Sequence, residues 1–257
     1  MRRLFHLLWH LWLTLDFFCA ALFWQLITPD PVLRRQRFIR NSHRTAKRYL
    51  KAFRLTTKVF NPERLELLNQ KSCLVVANHV SYIDIMVLSS IHPFVFITSV
   101  EMGANPFLGD ITRMGGSLYT NRKTFVSLPQ EIEKFAAAIR AGFNVVLFPE
   151  GTSTDGSDLR PFRSSLFETA IKANADILPV CIKYTKIDGE PRSEANRDLV
   201  CWYGDMSFTP HFMKLLGRSL EAEIHILEPI ACGTQVKRQK LADEAYERLR
   251  EEYLNQD

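Results

Sequence analysis

Residues 73–88 read Cys73-Leu74-Val75-Val76-Ala77-Asn78-His79-Val80-Ser81-Tyr82-Ile83-Asp84-Ile85-Met86-Val87-Leu88: a short apolar run, a polar turn, then a second apolar run. A β-branched run of this length reads as a buried strand, and the change of pattern after it as the start of a helix. At such a junction the backbone turns away from the sheet and leaves side chains where a substrate can approach. His79 stands in the turn, and Asp84 falls in the first turn of the expected helix. An imidazole, with an unperturbed pKa of about 6.5, takes up a proton at neutral pH when a carboxylate holds its useful tautomer. His79 and Asp84 fit that pairing. Ser81-Tyr82-Ile83-Asp84 also matches the serine-x-x-acid capping box, which makes Asp84 a helix cap and His79 an ordinary turn residue. The two uses are compatible, because a carboxylate has two oxygens.

Working outward, the same alternation of strand and helix recurs. Phe94-Val95-Phe96-Ile97-Thr98 reads as a strand, and a short helix begins at Asn105-Pro106-Phe107-Leu108-Gly109 and ends at Gly115-Gly116. Ser117-Leu118-Tyr119-Thr120 is a short strand that delivers Asn121-Arg122-Lys123 to its end. Residues 128–141 have helical spacing, with Ile132, Phe135, Ala136 and Ile139 on one face and Gly142 as the stop. Val145-Val146-Leu147-Phe148 is a buried strand, followed by the turn Pro149-Glu150-Gly151-Thr152-Ser153. A helix is expected over 164–173, strands over 177–182, 199–203 and 220–227, and a charged helix over 236–254. Pro179 inside its strand suggests an edge or a bulge. The fold class is α/β, a mostly parallel or mixed sheet flanked by helices.

In a parallel sheet the loops after the strands gather on one edge, so His79 with Asp84, Arg122, and Glu150 with Gly151 can share a cleft. The Arg122 guanidinium offers a fork of donors matched to an anion, although arginines are mostly exposed surface residues. Glu150, directly after a buried strand, needs a partner such as Arg122 or a substrate hydroxyl unless it only shapes the turn.

The N-terminal quarter is different. Residues 1–60 carry twelve Lys or Arg and two Asp, whereas the rest of the chain has 21 basic and 26 acidic residues. Residues 4–27 are almost wholly apolar, with Trp9, Trp12 and Trp24, and are interrupted by His6, His10, Asp16 and Gln25. About 20 apolar residues cross a bilayer, but an acid near the centre costs roughly 2.5–3.5 kcal/mol on insertion scales. A helix lying in one leaflet is therefore favoured over a full span. A signal peptide is the other alternative, with Arg2-Arg3 before the apolar core. Residues 31–58 hold ten Lys or Arg and no acid, a pattern retained on the cytoplasmic side and attracted to anionic lipid. Nucleic acid attracts the same charges, but the adjoining Trp- and Phe-rich helix favours lipid. The expected organisation is a membrane-associated helical segment over 1–60, on the cytoplasmic face of the inner (plasma) membrane, and an α/β domain over 61–257.

Five scattered cysteines without a C-x-x-C pair suggest neither a disulfide framework nor a zinc site. Cys73 reads as packing rather than as an acylated nucleophile. Glycine-rich phosphate loops, H-E-x-x-H and G-x-S-x-G are missing, which moves nucleotide enzymes, common zinc proteases and serine hydrolases off the front of the list.

The stretch from Asn78 to Asp84 resembles the N-H-x4-D signature of the glycerolipid acyltransferases, the 1-acylglycerol-3-phosphate O-acyltransferase family. Gly116-Ser117-Leu118-Tyr119-Thr120-Asn121-Arg122, Phe148-Pro149-Glu150-Gly151-Thr152 and Ile177-Leu178-Pro179-Val180 resemble that family's second, third and fourth blocks. The resemblance implies His79 as catalytic base, Asp84 as its orienting partner and Arg122 as a phosphate ligand. It places Glu150, with Gly151 and Thr152 of the same block, at the acceptor. It also implies an acyl-CoA or acyl-carrier-protein donor as co-substrate, a lysophospholipid acceptor, a membrane-associated N-terminal segment, and no cofactor or metal. Phosphatidate is the expected product, and a lyso-aminolipid such as lyso-ornithine lipid is the alternative acceptor. Two departures bear on that choice: Ser153 stands where many members have arginine, and Arg163-Ser164-Ser165 where many have a basic residue, a variable one and glycine. Backbone N–H groups near Ser81 are placed to receive the developing oxyanion. A thioesterase or lipase, and a catalytically silent membrane scaffold, are the rivals from other classes.

Overall fold

The computed structural model describes residues 2–124, 126–233 and 236–255. The chain opens with two long helices, α1 (Arg2–Ile27) and α2 (Pro31–Ala52), and continues through β1 (Leu55–Phe60), α3 (Leu67–Gln70), β2 (Leu74–Ala77) and α4 (Ile83–Ile91). Next come β3 (Val95–Ser99), α5 (Val100–Gly103), α6 (Leu108–Met114), β4 (Leu118–Thr120), α7 (Leu128–Arg140), β5 (Val145–Leu147) and α8 (Glu168–Ala173). The chain closes with β6 (Ile177–Ile187), β7 (Glu190–Pro191), α9 (Phe208–Leu215), β8 (Leu220–Ile226) and α10 (Arg238–Leu254).

The strands form one mixed sheet in the order β1-β8-β6-β2-β5-β3-β4, with β7 paired to β6. Neighbours from β6 to β4 run parallel, β8 is antiparallel to β6, and β1 is parallel to β8. All four residues of β2 are buried, and the two-residue period sends them to opposite faces. Val75 and Ala77 join Val146, Phe148, Val180, Val87 and Phe53 on the face covered by α2 and α4. Leu74 and Val76 join Val145, Leu147, Phe135, Ala245 and Leu249 on the face covered by α7 and α10. Each such side chain taken out of water contributes about 1.5–3 kcal/mol, so burial on both sides is what fixes this strand at the centre.

Three sequence expectations change. Leu55–Phe60 lies on the helical side of the expected boundary at 60, yet it forms β1 and pairs with Leu220–Ile226. Residues 199–203 are not a strand. The N–H groups of Leu199, Val200 and Cys201 turn back to Asn196 and Arg197, and Trp202 donates to the Val80 carbonyl, so no ladder forms. Pro179 lies inside the sheet, between β2 and β8, rather than on its edge. Its carbonyl accepts from Leu227 just past the end of β8, where pairing lapses until the Ile177–Ile230 bridge. The missing proline N–H falls in that gap, and the irregularity in the β6–β8 ladder lies further on, at Tyr184 and Lys186.

The helical hairpin explains the polar interruptions of the apolar N-terminus. Pro31 opens α2, and the Asp30 carboxylate caps it by accepting from Leu33 N–H at 2.7 Å. His6, His10, Leu13, Phe17 and Ala21 make one buried stripe of α1. Asp16 points toward α2, where Arg48 and Arg44 donate to it at 2.6 and 3.0 Å. The carboxylate that a lone bilayer helix would expose is therefore paired within the hairpin. The other side of α1 presents Leu4, Phe5, Leu8, Leu11, Trp12, Leu15, Leu22, Phe23 and Leu26, all exposed. A contiguous apolar surface of this kind marks an interaction face.

Candidate active site

The turn after β2 is built around two polar side chains. Asn78 continues the sheet with its own amide: Nδ2 donates to the Ile182 carbonyl at 2.9 Å, and Oδ1 accepts from Ile182 N–H at 2.8 Å. That anchors the turn to β6 at the point where the β2 backbone leaves the ladder. Asp84, fully buried at the start of α4, accepts from His79 Nδ1 at 2.8 Å and from the N–H groups of Val80 and Ser81 at 2.7 and 2.8 Å, all at Oδ2. Its Oδ1 accepts from the Tyr184 hydroxyl at 2.7 Å. Burial, and then the carboxylate beside it, raise the Tyr184 pKa well above its ordinary value, so the phenol stays a donor. Capping and pairing are thus both realised by one carboxylate.

With Asp84 already accepting from two peptide N–H groups, His79 Nδ1 carries the hydrogen of their bond, and Nε2 is the basic nitrogen. Nothing among the described residues hydrogen-bonds to Nε2, and the side chain is 17% exposed. The ring lies flat on Phe148, centroid to centroid 4.2 Å, which fixes its plane. The expectation of open N–H groups near Ser81 narrows here. Those of Val80 and Ser81 are taken by Asp84, and that of Ile83 faces the Ser81 hydroxyl; the Tyr82 N–H is not among those so occupied.

The loops after β4 and β5 close on the same edge. Glu150 is buried, but its partner is not Arg122: Oε1 accepts from His79 N–H at 2.7 Å and Oε2 from Arg160 N–H at 2.9 Å. Thr154 N–H donates to the His79 carbonyl at 3.0 Å, so the loop after β5 grips the histidine backbone from both sides. Burial pushes the Glu150 carboxyl up to about 7, against the pull of the Arg160 and His79 N–H groups. The fold therefore favours its protonated form. Stability from this group is fully present below the unfolded pKa of about 4.5 and is lost as pH rises through about 7. Denaturant melts taken from pH 4 to 8 should show that decline, and Glu150→Gln should flatten it; an unchanged slope in the variant would assign the decline to another group.

Gly151 adopts φ +76°, a conformation side chains rarely take, and a Cβ there would meet the Arg163 guanidinium at 3.1 Å. Arg122 donates to the Gly151 carbonyl. Burial, and then the neighbouring Arg163, lower the Arg122 pKa from its ordinary value. Two guanidiniums therefore flank Gly151, and that of Arg163 has no hydrogen-bonding or ionic partner among the described residues. Thr152 is exposed beside them. Ser153 is buried and donates to the Trp202 carbonyl. Cys73 is buried and its thiol is pushed up to about 11 by burial, so it packs rather than reacts.

Sequence reasoning missed three supports. Glu131, on α7, accepts from Thr120 Oγ1 at 2.6 Å, from Ser127 Oγ at 2.7 Å and from Asn121 N–H, and so holds the loop that carries Arg122. An acid in the first turn of a helix passes for a surface residue, and only its burial gives it away. Tyr184 carried no local signal, because its partner Asp84 lies a hundred residues away; Arg163 stood out in the sequence only as part of a departure from the family pattern, not as a neighbour of Arg122.

The acyltransferase family profile matches residues 56–183. Lyso-ornithine lipid O-acyltransferase of Brucella abortus is 31% identical over 185 residues, 69% of this chain and 69% of that protein. The chain belongs to the acyltransferase family. The enzyme of the same name from Rhizobium meliloti is 30% identical over 193 residues, 72% of this chain and 66% of its own length, so about a third of that relative lies outside the match. The 1-acyl-sn-glycerol-3-phosphate acyltransferase of Neisseria gonorrhoeae is 35% identical over 111 residues, 43% of this chain and 44% of that one. A crystal structure of the 1-acyl-sn-glycerophosphate acyltransferase of Thermotoga maritima shares the fold, with a TM-score of 0.64 at 19% identity over 98% of this chain and 96% of that chain.

Proposed function

We propose that this protein transfers an acyl chain from an acyl thioester, of coenzyme A or acyl-carrier protein, to the free hydroxyl of a lyso-lipid. The observation that carries the reading is the His79–Asp84 pair, with Nδ1 committed to the carboxylate and Nε2 free at the edge of the sheet. Nε2 takes the proton of the acceptor hydroxyl as that oxygen attacks the thioester carbonyl, and Asp84 stabilises the imidazolium. The tetrahedral intermediate collapses, the C–S bond breaks, the imidazolium proton passes to the leaving thiolate, and an ester and a thiol remain. Arg122 and Arg163 hold the acceptor's anionic group beside Gly151, and Glu150 acts by positioning the His79 backbone.

For the acceptor, a lyso-aminolipid is favoured over 1-acylglycerol-3-phosphate. The lyso-ornithine relatives align over the larger share of the chain, and Ser153 offers no charge to a phosphate. The 1-acylglycerol-3-phosphate reading rests on the same two guanidiniums, which suit phosphate as well as carboxylate. In the membrane, α1 lies in one leaflet on the cytoplasmic side with its exposed apolar face in lipid. A full crossing would carry the Arg-rich α2, packed along it, into the hydrocarbon.

Purified protein in sealed vesicles, given a labelled acyl thioester and a panel of lyso-lipids, tests these points together. The expected product is the diacyl aminolipid, identified by mass. Labelled phosphatidate alone would overturn the acceptor, and thiol release that needs no lyso-lipid would overturn the transfer. A protease added outside should remove N- and C-terminal tags together; loss of only one contradicts the in-plane placement.

A further inference from the structure

A cleft of about 460 Å³ opens at the far corner of the hairpin, lined by Arg3, Arg54, Asp188, Leu216, Gly217 and Arg218. Its three guanidiniums come from three elements: the start of α1, the turn between α2 and β1, and the turn between α9 and β8. The single carboxylate is already committed. Asp188 accepts from Arg218 Nη1 at 2.6 Å and from Ser219 N–H at 2.8 Å. Arg218 is further steadied by the Lys214 carbonyl at 3.0 Å, and Arg54 by the Gly217 carbonyl at 3.2 Å. Arg54 reaches the cleft from a left-handed backbone, φ 51°, and Gly217 opposite it has φ +80°. Arg3 has no partner among the described residues. The cleft thus holds two positive charges that no acid offsets, in a shape fixed by main-chain contacts.

Its surroundings are apolar on one side. Leu4, Phe5 and Leu8 follow Arg3 along α1 and are exposed, at 59%, 61% and 56%. His6, buried between them, faces Gly217 and ties α1 to this corner. The cleft shares no residue with the catalytic pair. Along β6 it lies at Asp188, about 13 Å at 3.3 Å per residue past Tyr184, whose hydroxyl reaches Asp84.

The geometry points to a binding site for the phosphate of an anionic glycerophospholipid, separate from the site of reaction: the headgroup seated among Arg3, Arg54 and Arg218, its acyl chains running along Leu4, Phe5 and Leu8. Guanidinium forks match phosphate oxygens in pairs, and a lipid satisfies the charged cleft and the apolar flank at once. A free phosphate ion shares the first chemistry and lacks the second.

Native mass spectrometry of the full chain in detergent, titrated with short-chain phosphatidylglycerol, phosphatidylcholine or inorganic phosphate, tests the assignment without reference to acyl transfer. The wild-type protein should retain one phosphatidylglycerol in preference to phosphatidylcholine, and millimolar phosphate should not displace it. Arg3→Gln/Arg54→Gln should bind it about 30-fold more weakly, two cationic contacts being lost together. Arg3→Lys/Arg54→Lys, which keeps the charge but loses the forks, should bind it more tightly than the glutamine variant, and Arg40→Gln/Lys47→Gln, which removes two exposed charges from α2, should bind it as the wild-type protein does. Equal weakening in the α2 variant would mean a diffuse field and overturn the site. A lysine variant as weak as the glutamine one, or no loss in the glutamine variant, would overturn it too, and displacement by phosphate would reassign it to the free ion.

Discussion

Replacing His79 by alanine should lower acyl transfer about 10²–10⁴-fold, the range a positioned general base supplies, while leaving the protein folded. The separation of the two effects follows from the geometry. The imidazole makes one side-chain hydrogen bond, to Asp84, and lies partly open on Phe148, whereas the contacts that hold the turn use the His79 backbone: its N–H to Glu150 and its carbonyl to Thr154. Alanine keeps both backbone contacts. A turnover assay beside a thermal melt distinguishes the outcomes. Near-normal turnover would favour the silent-scaffold alternative, and joint loss of fold and activity would leave the base unproven by this variant and move the test to His79→Gln, whose side chain keeps a polar group toward Asp84 but cannot act as a base near neutral pH. Normal turnover in that variant would exclude His79 as the base.

Asp84→Ala should behave differently, with loss of activity and of stability together. Four donors converge on this carboxylate: His79 Nδ1, the N–H groups of Val80 and Ser81, and the Tyr184 hydroxyl. At a fully buried position each donor left unpaired costs about 1–3 kcal/mol. Even if water reaches His79, the remaining three imply a loss of at least about 3 kcal/mol, or about 6–12 °C in melting temperature for a chain of this size. Asp84→Asn fills the space but presents one acceptor where two are used, so it should recover part of the stability and little of the turnover, because the imidazole loses the charge that steadies its protonated form. A variant that melts like the wild-type protein would refute the convergence of donors described here.

The contacts of Asp84 also explain why its capping reading and its catalytic reading could not be separated by sequence pattern. Ser81-x-x-Asp84 announces a carboxylate near the start of a helix, and the structure does place Asp84 against Ser81 N–H. What the pattern omits is Tyr184, a hundred residues on, whose hydroxyl takes the second oxygen. Glu150 is the converse case. Its position after a buried strand marked it as a carboxylate in need of partners, and the expectation named a side chain or a substrate. The partners are peptide N–H groups of His79 and Arg160, which a string of letters does not display. The same limit explains residues 199–203: apolar and strand-like in composition, they spend their donors on a local turn and on Val80.

The sequence alone determined the strand, turn and helix at residues 73–88, the alternation that gives a mostly parallel or mixed sheet with covered faces, and the three loops that gather at one edge. These follow from the period of apolar side chains and from local turn chemistry, both of which are properties of neighbouring residues. Tertiary structure alone decided that Asp16 is neutralised by Arg44 and Arg48, that Pro179 is tolerated inside the sheet where pairing lapses, and that Arg163 joins Arg122 beside Gly151. Each depends on which distant segment comes to lie alongside, and that is set by how the helices and the sheet bury their apolar faces against one another rather than by any short stretch of chain.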